Sequence, residues 1–284
     1  MTTIQTEDLV NYKAFAVRTL VAVIFGPLIV LCFWWGHYFL LGLVLLIVLL
    51  SYWEYARLVE RKTMQAQLVP GLLAVLSGVL LVYFLPSALV AWIFFFGTLF
   101  FFVEMYRKKG SAVLNLAATF FGSIYFTLFV GSFLLLRQLP ALFGLTYDAA
   151  GRWMLLIVLG TWLCDTAAYL YGSYFGRHKL IPRISPNKSI EGTIAGFIAA
   201  ILAAYICHLW FVRDLPLIHS LVLGAIVGSF GQYGDLFESM LKRDVDVKDS
   251  SRLIPGHGGI LDRFDSLTIS IPMAYLYLRF VVLT

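Results

Sequence analysis

Apolar residues run along the chain in blocks of sixteen to twenty-four, over about 20–35, 39–56, 68–85, 88–103, 113–136, 153–172, 191–212, 217–237 and 266–283. Each block is near the roughly 20 residues a helix needs to cross a hydrocarbon core about 30 Å thick. No stretch shows the two-residue alternation over about ten residues that marks a strand of a membrane barrel. The pattern predicts an all-α polytopic integral membrane protein with about nine transmembrane helices. The first 19 residues are polar and amphipathic, and no small-residue cleavage site follows the first apolar block, so that block is expected to be a retained span. The 113–136 block exceeds what one crossing needs and is expected to tilt or break near Gly131.

Composition agrees with the pattern. Of the 284 residues, 61% are hydrophobic and 13% charged, and the mean hydropathy is +0.87; a soluble domain carries about 25% charged residues. The net charge of +5 reports topology rather than nucleic-acid binding. With the N-terminus inside, all the basic residues except Arg137, Arg152, Arg213 and Arg279 fall in inner segments. That bias predicts a cytoplasmic N-terminus and an outer C-terminus. Cys32, Cys164 and Cys207 lie inside apolar blocks with no CxxC partner, and they read as small buried hydrophobes.

The polar residues divide the chain. Residues 1–150 read as a transmembrane scaffold. Residues 151–284 read as the catalytic portion, with Asp and Gly entering the spans and two cytoplasmic loops, 173–190 and 238–265. Asp165 lies within a span, where a carboxylate costs a few kcal/mol and needs a wet cavity, a cation or a partner base. Asp165, Tyr169, Gly172 and Gly176 share one helical face, and the Gly172–Gly176 spacing also suits close helix packing. The first loop, GRHKLIPRISPNKSIEG (176–192), gathers Ser185, Asn187, Lys188, Ser189 and Glu191. Its two prolines forbid a regular helix.

The densest chemistry is GDLFESMLKRDVDVKDSSRLIPGHGGILDRFDS, residues 234–266. Asp235, Ser239 and Lys242 recur at helical spacing on an extension of the eighth span. Arg243, Lys248, Asp249 and His257 follow. Gly258 and Gly259 leave main-chain N–H groups open to an anion. Asp262 and Asp265 flank Arg263 and share a face at the start of the ninth helix. Several carboxylates beside several bases suit a divalent cation meeting a polyphosphate, because Mg²⁺ prefers one or two carboxylates plus phosphate oxygens.

At these residues the chain closely resembles the phosphatidate cytidylyltransferase family. The resemblance is carried by Ser239, Lys242-Arg243, Lys248-Asp249, Pro255-Gly256-His257-Gly258-Gly259 and Asp262-Arg263-Phe264-Asp265, and extends over about 160–270. In the first half, WEYARL (53–58) is a faint echo. The resemblance implies transfer of CMP from CTP to phosphatidic acid in a bacterial-type cytoplasmic membrane, with Mg²⁺, room for a second cation, and a homodimer. Asp235, Ser239, Lys242, Arg243, Asp262 and Asp265 are the expected catalytic residues. Asp235, Asp262, Asp265 and Asp165 are the expected metal ligands. Ser185, Lys188, Glu191, Lys248, Asp249, His257, Gly258, Gly259 and Arg263 are expected to bind substrate. A related cytidylyltransferase acting on another lipid phosphate is the near alternative. A transporter is the distant one, since the acids collect at one face and no inverted repeat is visible.

Overall fold

The computed structural model describes residues 19, 23–251, 253–254 and 258–283. Eleven helices follow the apolar pattern. They are α1 (Val23–Trp35), α2 (His37–Val59), α3 (Leu68–Phe84), α4 (Leu89–Tyr106), α5 (Ala112–Tyr125), α6 (Ser132–Gln138), α7 (Tyr147–Phe175), α8 (Ile190–Trp210), α9 (Leu217–Ile226), α10 (Gln232–Asp244) and α11 (Leu261–Tyr277). Six helical stretches are long and apolar enough to cross a membrane: α2, Pro86–Tyr106, Ala112–Phe143, α7, α8 and Leu217–Asp244. The helices α1 and α3 are apolar but shorter.

Two of the six stretches are helices joined through a π-helical turn. Phe126–Val130 links α5 to α6, and Val227–Gly231 links α9 to α10. The first turn falls next to Gly131, where the sequence led us to expect a break. Main-chain packing explains the glycine: a Cβ on Gly131 would stand 2.1 Å from the Thr127 carbonyl oxygen.

The loop expected over 173–190 is shorter and more ordered than the sequence implies. Helix α7 runs on to Phe175, and β1 (Lys179–Ile181) pairs antiparallel with β2 (Ser185–Ser189). This hairpin is a local departure from an all-α fold. Pro182 and Pro186 bar a helix but leave extended backbone open. Likewise α10 continues to Asp244 and α11 starts at Leu261, so the second loop shrinks to residues 245–260.

One apolar core runs through α1 to α3, α5 to α9 and α11, with Trp153, Tyr52, Phe33 and Phe133 among its largest fully buried side chains. Helix α4 turns Phe94, Phe95, Phe101, Phe102 and Met105 outward, an apolar surface suited to lipid.

Contacts between connecting segments define two ends of the bundle. At one end Lys62 pairs with Asp244 at 2.7 Å, Arg107 donates to the Gln65 carbonyl, and Arg243 donates to the Ile184 carbonyl of the hairpin. At the other end Arg152 pairs with Asp214 at 2.9 Å, and Arg137 donates to the carbonyls of Trp34 and Tyr147.

Candidate active site

A cleft of about 520 Å³ opens between α7, α8, α10 and the hairpin. Asp165, Tyr169, Gly172 and Gly176 line it, as their shared face predicts, and so do Lys179, Asn187, Lys188, Gln232 and Asp235. Lys188 Nζ lies 2.7 Å from Asp235 Oδ2. Ser239, one turn on along α10, donates to Asp235 Oδ1 at 3.3 Å. Asp165 and Asp265 lie within electrostatic reach of Asp235 and of each other. Carboxylates of α7 and α10 thus meet the hairpin lysine Lys188, with Asp265 of α11 adjoining them.

Small residues create the cleft's floor. A Cβ on Gly192 would stand 2.6 Å from the Ala168 carbonyl oxygen and 3.0 Å from the Gly172 Cα. Helices α7 and α8 thus touch almost backbone to backbone. Ser189 caps α8, its Oγ accepting from the Gly192 N–H at 3.2 Å. Gln232 fixes α10 against α8 by donating to the Thr193 carbonyl at 3.0 Å.

Behind the cleft is a buried ionic cluster. Lys242 Nζ sits between Glu238 Oε1 at 3.0 Å and Asp262 Oδ1 at 2.6 Å. Asp262 Oδ2 accepts from the Ser250 N–H at 2.9 Å, the Ser250 hydroxyl at 2.8 Å and the Gly259 N–H at 2.8 Å. The four donors on Asp262 match the roughly four lone-pair sites of a carboxylate. Aromatic rings of Tyr55, Phe121, Tyr125 and Phe237 enclose Glu238.

The glycine turn is used differently from the sequence expectation. The Gly259 N–H bonds Asp262, an anion within the protein. A Cβ there would stand 2.0 Å from Ser250 Oγ and 2.5 Å from Glu54 Oε2. Gly258 has φ +79, the left-handed region that favours glycine. These glycines let carboxylates of the protein approach. Glu54, on α2, is fully buried there. It was not among the expected site residues, although a carboxylate inside the 39–56 block signals it by the same logic that marks Asp165.

The remaining expected residues are dispersed. Arg243 binds the main-chain carbonyls of Ile184 and Val247 and so staples the hairpin to the 245–260 loop. Ser185 lies on β2. Glu191 accepts from His178 Nδ1 at 2.6 Å and from the Arg177 and His178 N–H groups, which ties α8 to the start of the hairpin and keeps it out of the cleft. Lys248 and Asp249 line a second hollow with Arg61, Ser250 and Ser251. Arg263 is exposed on the first turn of α11. His257 lies outside the described residues.

Among the described residues, no three His, Cys, Asp or Glu side chains converge closely enough to hold a metal together. The carboxylates near the cleft offer oxygen donors without sulfur or imidazole, the chemistry of a hard cation. Lys188 already occupies one oxygen of Asp235.

Comparison with known proteins points the same way. A family model described as the cytidylyltransferase family matches residues 16–281. The phosphatidate cytidylyltransferase of Thermotoga maritima is 35% identical over 271 residues, covering 92% of this chain and 95% of that protein. Those of Staphylococcus epidermidis and Bacillus subtilis are 34% identical over 218 residues and 41% over 156. The first covers 74% of this chain and 79% of that protein, and the second 55% of each. The chain belongs to the cytidylyltransferase family.

Proposed function

We propose that the protein is a phosphatidate cytidylyltransferase, making CDP-diacylglycerol and pyrophosphate from CTP and phosphatidic acid at the α7–α8–α10 cleft. The observation that carries this reading is the neighbourhood of the cleft. Through Thr193 and Gln232 it adjoins an apolar hollow of about 370 Å³ lined by Leu180, Ile181, Phe197, Tyr233 and Leu236. A charged headgroup site beside an apolar chain site suits an anionic lipid.

A phosphate oxygen of the lipid attacks the α-phosphorus of CTP. A new P–O bond forms, the bond to the β-phosphate oxygen breaks, and pyrophosphate leaves with the electron pair. The lipid phosphate is already largely dianionic near neutral pH, so no strong general base is needed. Bringing two anions together is the electrostatic problem. Lys179 and Lys188 face the cleft and offset that charge. Ser239 orients Asp235. Lys242 and Asp262 hold the wall behind it, and Arg243 and Arg263 add positive charge around the hairpin and α11.

Asp262, expected as a ligand, directs its oxygens to Lys242, Ser250 and Gly259 instead. Asp235 and Asp265, with Asp165 nearby, are the residues that would hold Mg²⁺ together with phosphate oxygens. Bound there, the cation would offset phosphate charge on both substrates and on departing pyrophosphate. Adding α1, α3 and α11 to the six long stretches gives nine crossings in this reading, and the lysine and arginine bias supports a cleft at the cytoplasmic face of the inner membrane.

The test is purified protein in detergent with phosphatidate, labelled CTP and Mg²⁺. Label entering the lipid phase, and abolished by EDTA, is the expected result. Folded protein that labels no phospholipid would overturn the reading. Labelling that survives EDTA would overturn the metal assignment alone.

A further inference from the structure

We propose that Glu54 is a positioning residue for the transfer reaction, reaching from the N-terminal half to set the 250–261 segment and, through Ser250, the Asp262–Lys242 pair. This inference rests on the cytidylyltransferase reading of the cleft.

The geometry is a two-sided clamp. Glu54 Oε1 accepts from the Ser251 hydroxyl at 2.6 Å and the Ile260 N–H at 3.0 Å. Glu54 Oε2 accepts from the Ser250 hydroxyl at 3.2 Å and the Leu261 N–H at 2.8 Å. Oε1 thus takes one hydroxyl and one main-chain donor, while Oε2 takes the Leu261 N–H and shares with Asp262 the single Ser250 hydroxyl proton, which lies closer to Asp262 at 2.8 Å. The partners come from the middle of the loop between α10 and α11 and from its junction with α11, so one side chain ties Ser250 and Ser251 to Ile260 and Leu261. Two of the donors are at the start of α11, where a negative charge also meets the helix dipole favourably.

Ser250 links the clamp to the ionic cluster, since its hydroxyl stands between Glu54 and Asp262 and its N–H also serves Asp262. Asp262 in turn holds Lys242. Displacing Glu54 therefore moves the residues behind the cleft without touching its walls. Gly259 fits this account: only a residue without Cβ lets the Glu54 carboxylate and Ser250 close on the turn.

Glu54→Gln is the sharpest variant. It keeps the shape, but its NH₂ group must face one of the two main-chain N–H donors, which cannot rotate away. A buried donor left in this way carries its full desolvation penalty. The full-length Glu54→Gln, Glu54→Asp and Ser250→Ala variants and the Glu54→Gln/Ser250→Ala double variant are assayed beside wild type for kcat and KM with CTP and phosphatidate, with thermal unfolding in the same detergent.

We expect Glu54→Gln to remain folded and to lose at least about tenfold in kcat, with KM for phosphatidate changed by less than about twofold. Glu54→Asp, which keeps the charge, should regain part of the loss. Ser250→Ala should lose activity less than additively with Glu54→Gln, because both act along one chain of contacts. A kcat within about twofold of wild type in folded Glu54→Gln overturns the proposal. So does a loss that only tracks the unfolded fraction.

Limited proteolysis reads the loop without turnover. Glu54→Gln should be cut within 245–260 at least about tenfold faster than wild type, and equal rates overturn the clamp. A wild type that transfers no label instead overturns the functional reading, while the proteolysis result still judges the clamp.

Discussion

Three lysines of this protein sit in three electrostatic settings, and their substitution should separate folding from chemistry. Lys62 pairs with Asp244 where both side chains are about half exposed, and such pairs contribute about 0–1 kcal/mol. Lys62→Ala should leave both unfolding temperature and turnover near wild type. Lys242 is buried between Glu238 and Asp262. Removing it strands two carboxylates, and breaking a buried ionic group in this way costs about 3–5 kcal/mol. Lys242→Ala should therefore unfold at clearly lower temperature as well as lose activity. Lys188 reaches its carboxylate across the open cleft. Lys188→Ala should keep its unfolding temperature yet lose about 10²–10³ in turnover, the range for removing one preorganised charge-stabilising donor. Calorimetry and the labelled-CTP assay measure the two effects separately. Equal losses of turnover from Lys62→Ala and Lys188→Ala would place the site elsewhere.

At the scale of elements, the cleft depends on how closely α7 and α8 approach. Gly192→Ala puts a methyl 2.6 Å from a main-chain oxygen of α7, which no side-chain motion can relieve. Overpacking of this kind costs about 1–3 kcal/mol, and the floor of the cleft must shift with it. Gly42→Ala is the control, because nothing lies within 4 Å of its Cβ position on α2. There the loss of a helix-interior glycine should be neutral or stabilising by up to about 1 kcal/mol. Thermal unfolding of the two variants checks the contrast, and a neutral Gly192→Ala would mean the helices are less closely seated. The helices themselves, the break near Gly131 and the shared face of Asp165, Tyr169, Gly172 and Gly176 were legible in the sequence, because periodicity and block length report burial directly. The β1–β2 pairing was not, since Pro182 and Pro186 say only what the loop avoids. A carboxylate inside the 39–56 block marks Glu54 as needing partners, but those partners lie about two hundred residues on, and no local pattern encodes that meeting or the inward use of Gly259.

The whole molecule is arranged so that its chemistry collects at one end. From the 107–111 turn the chain makes two long crossings, Ala112–Phe143 and α7, and returns to the same end at the hairpin. A third crossing, α8, reaches the 211–216 segment at the far end, and a fourth, Leu217–Asp244, returns to the 245–260 loop. The lysine and arginine bias predicts that the shared end faces the cytoplasm. Arg152 and Asp214 close the opposite end. The arrangement predicts how single cysteines label in intact cells. The native Cys164 and Cys207 are buried, and Cys32 is half-buried in α1, so the background should be low. A cysteine replacing Arg213 should react with a membrane-impermeant maleimide added outside. One replacing Lys109 should react only after the membrane is opened. Reversed labelling would turn the molecule over and put the cleft outside. Labelling of both from outside would break the path through α7 and α8, and with it the cleft that those helices form.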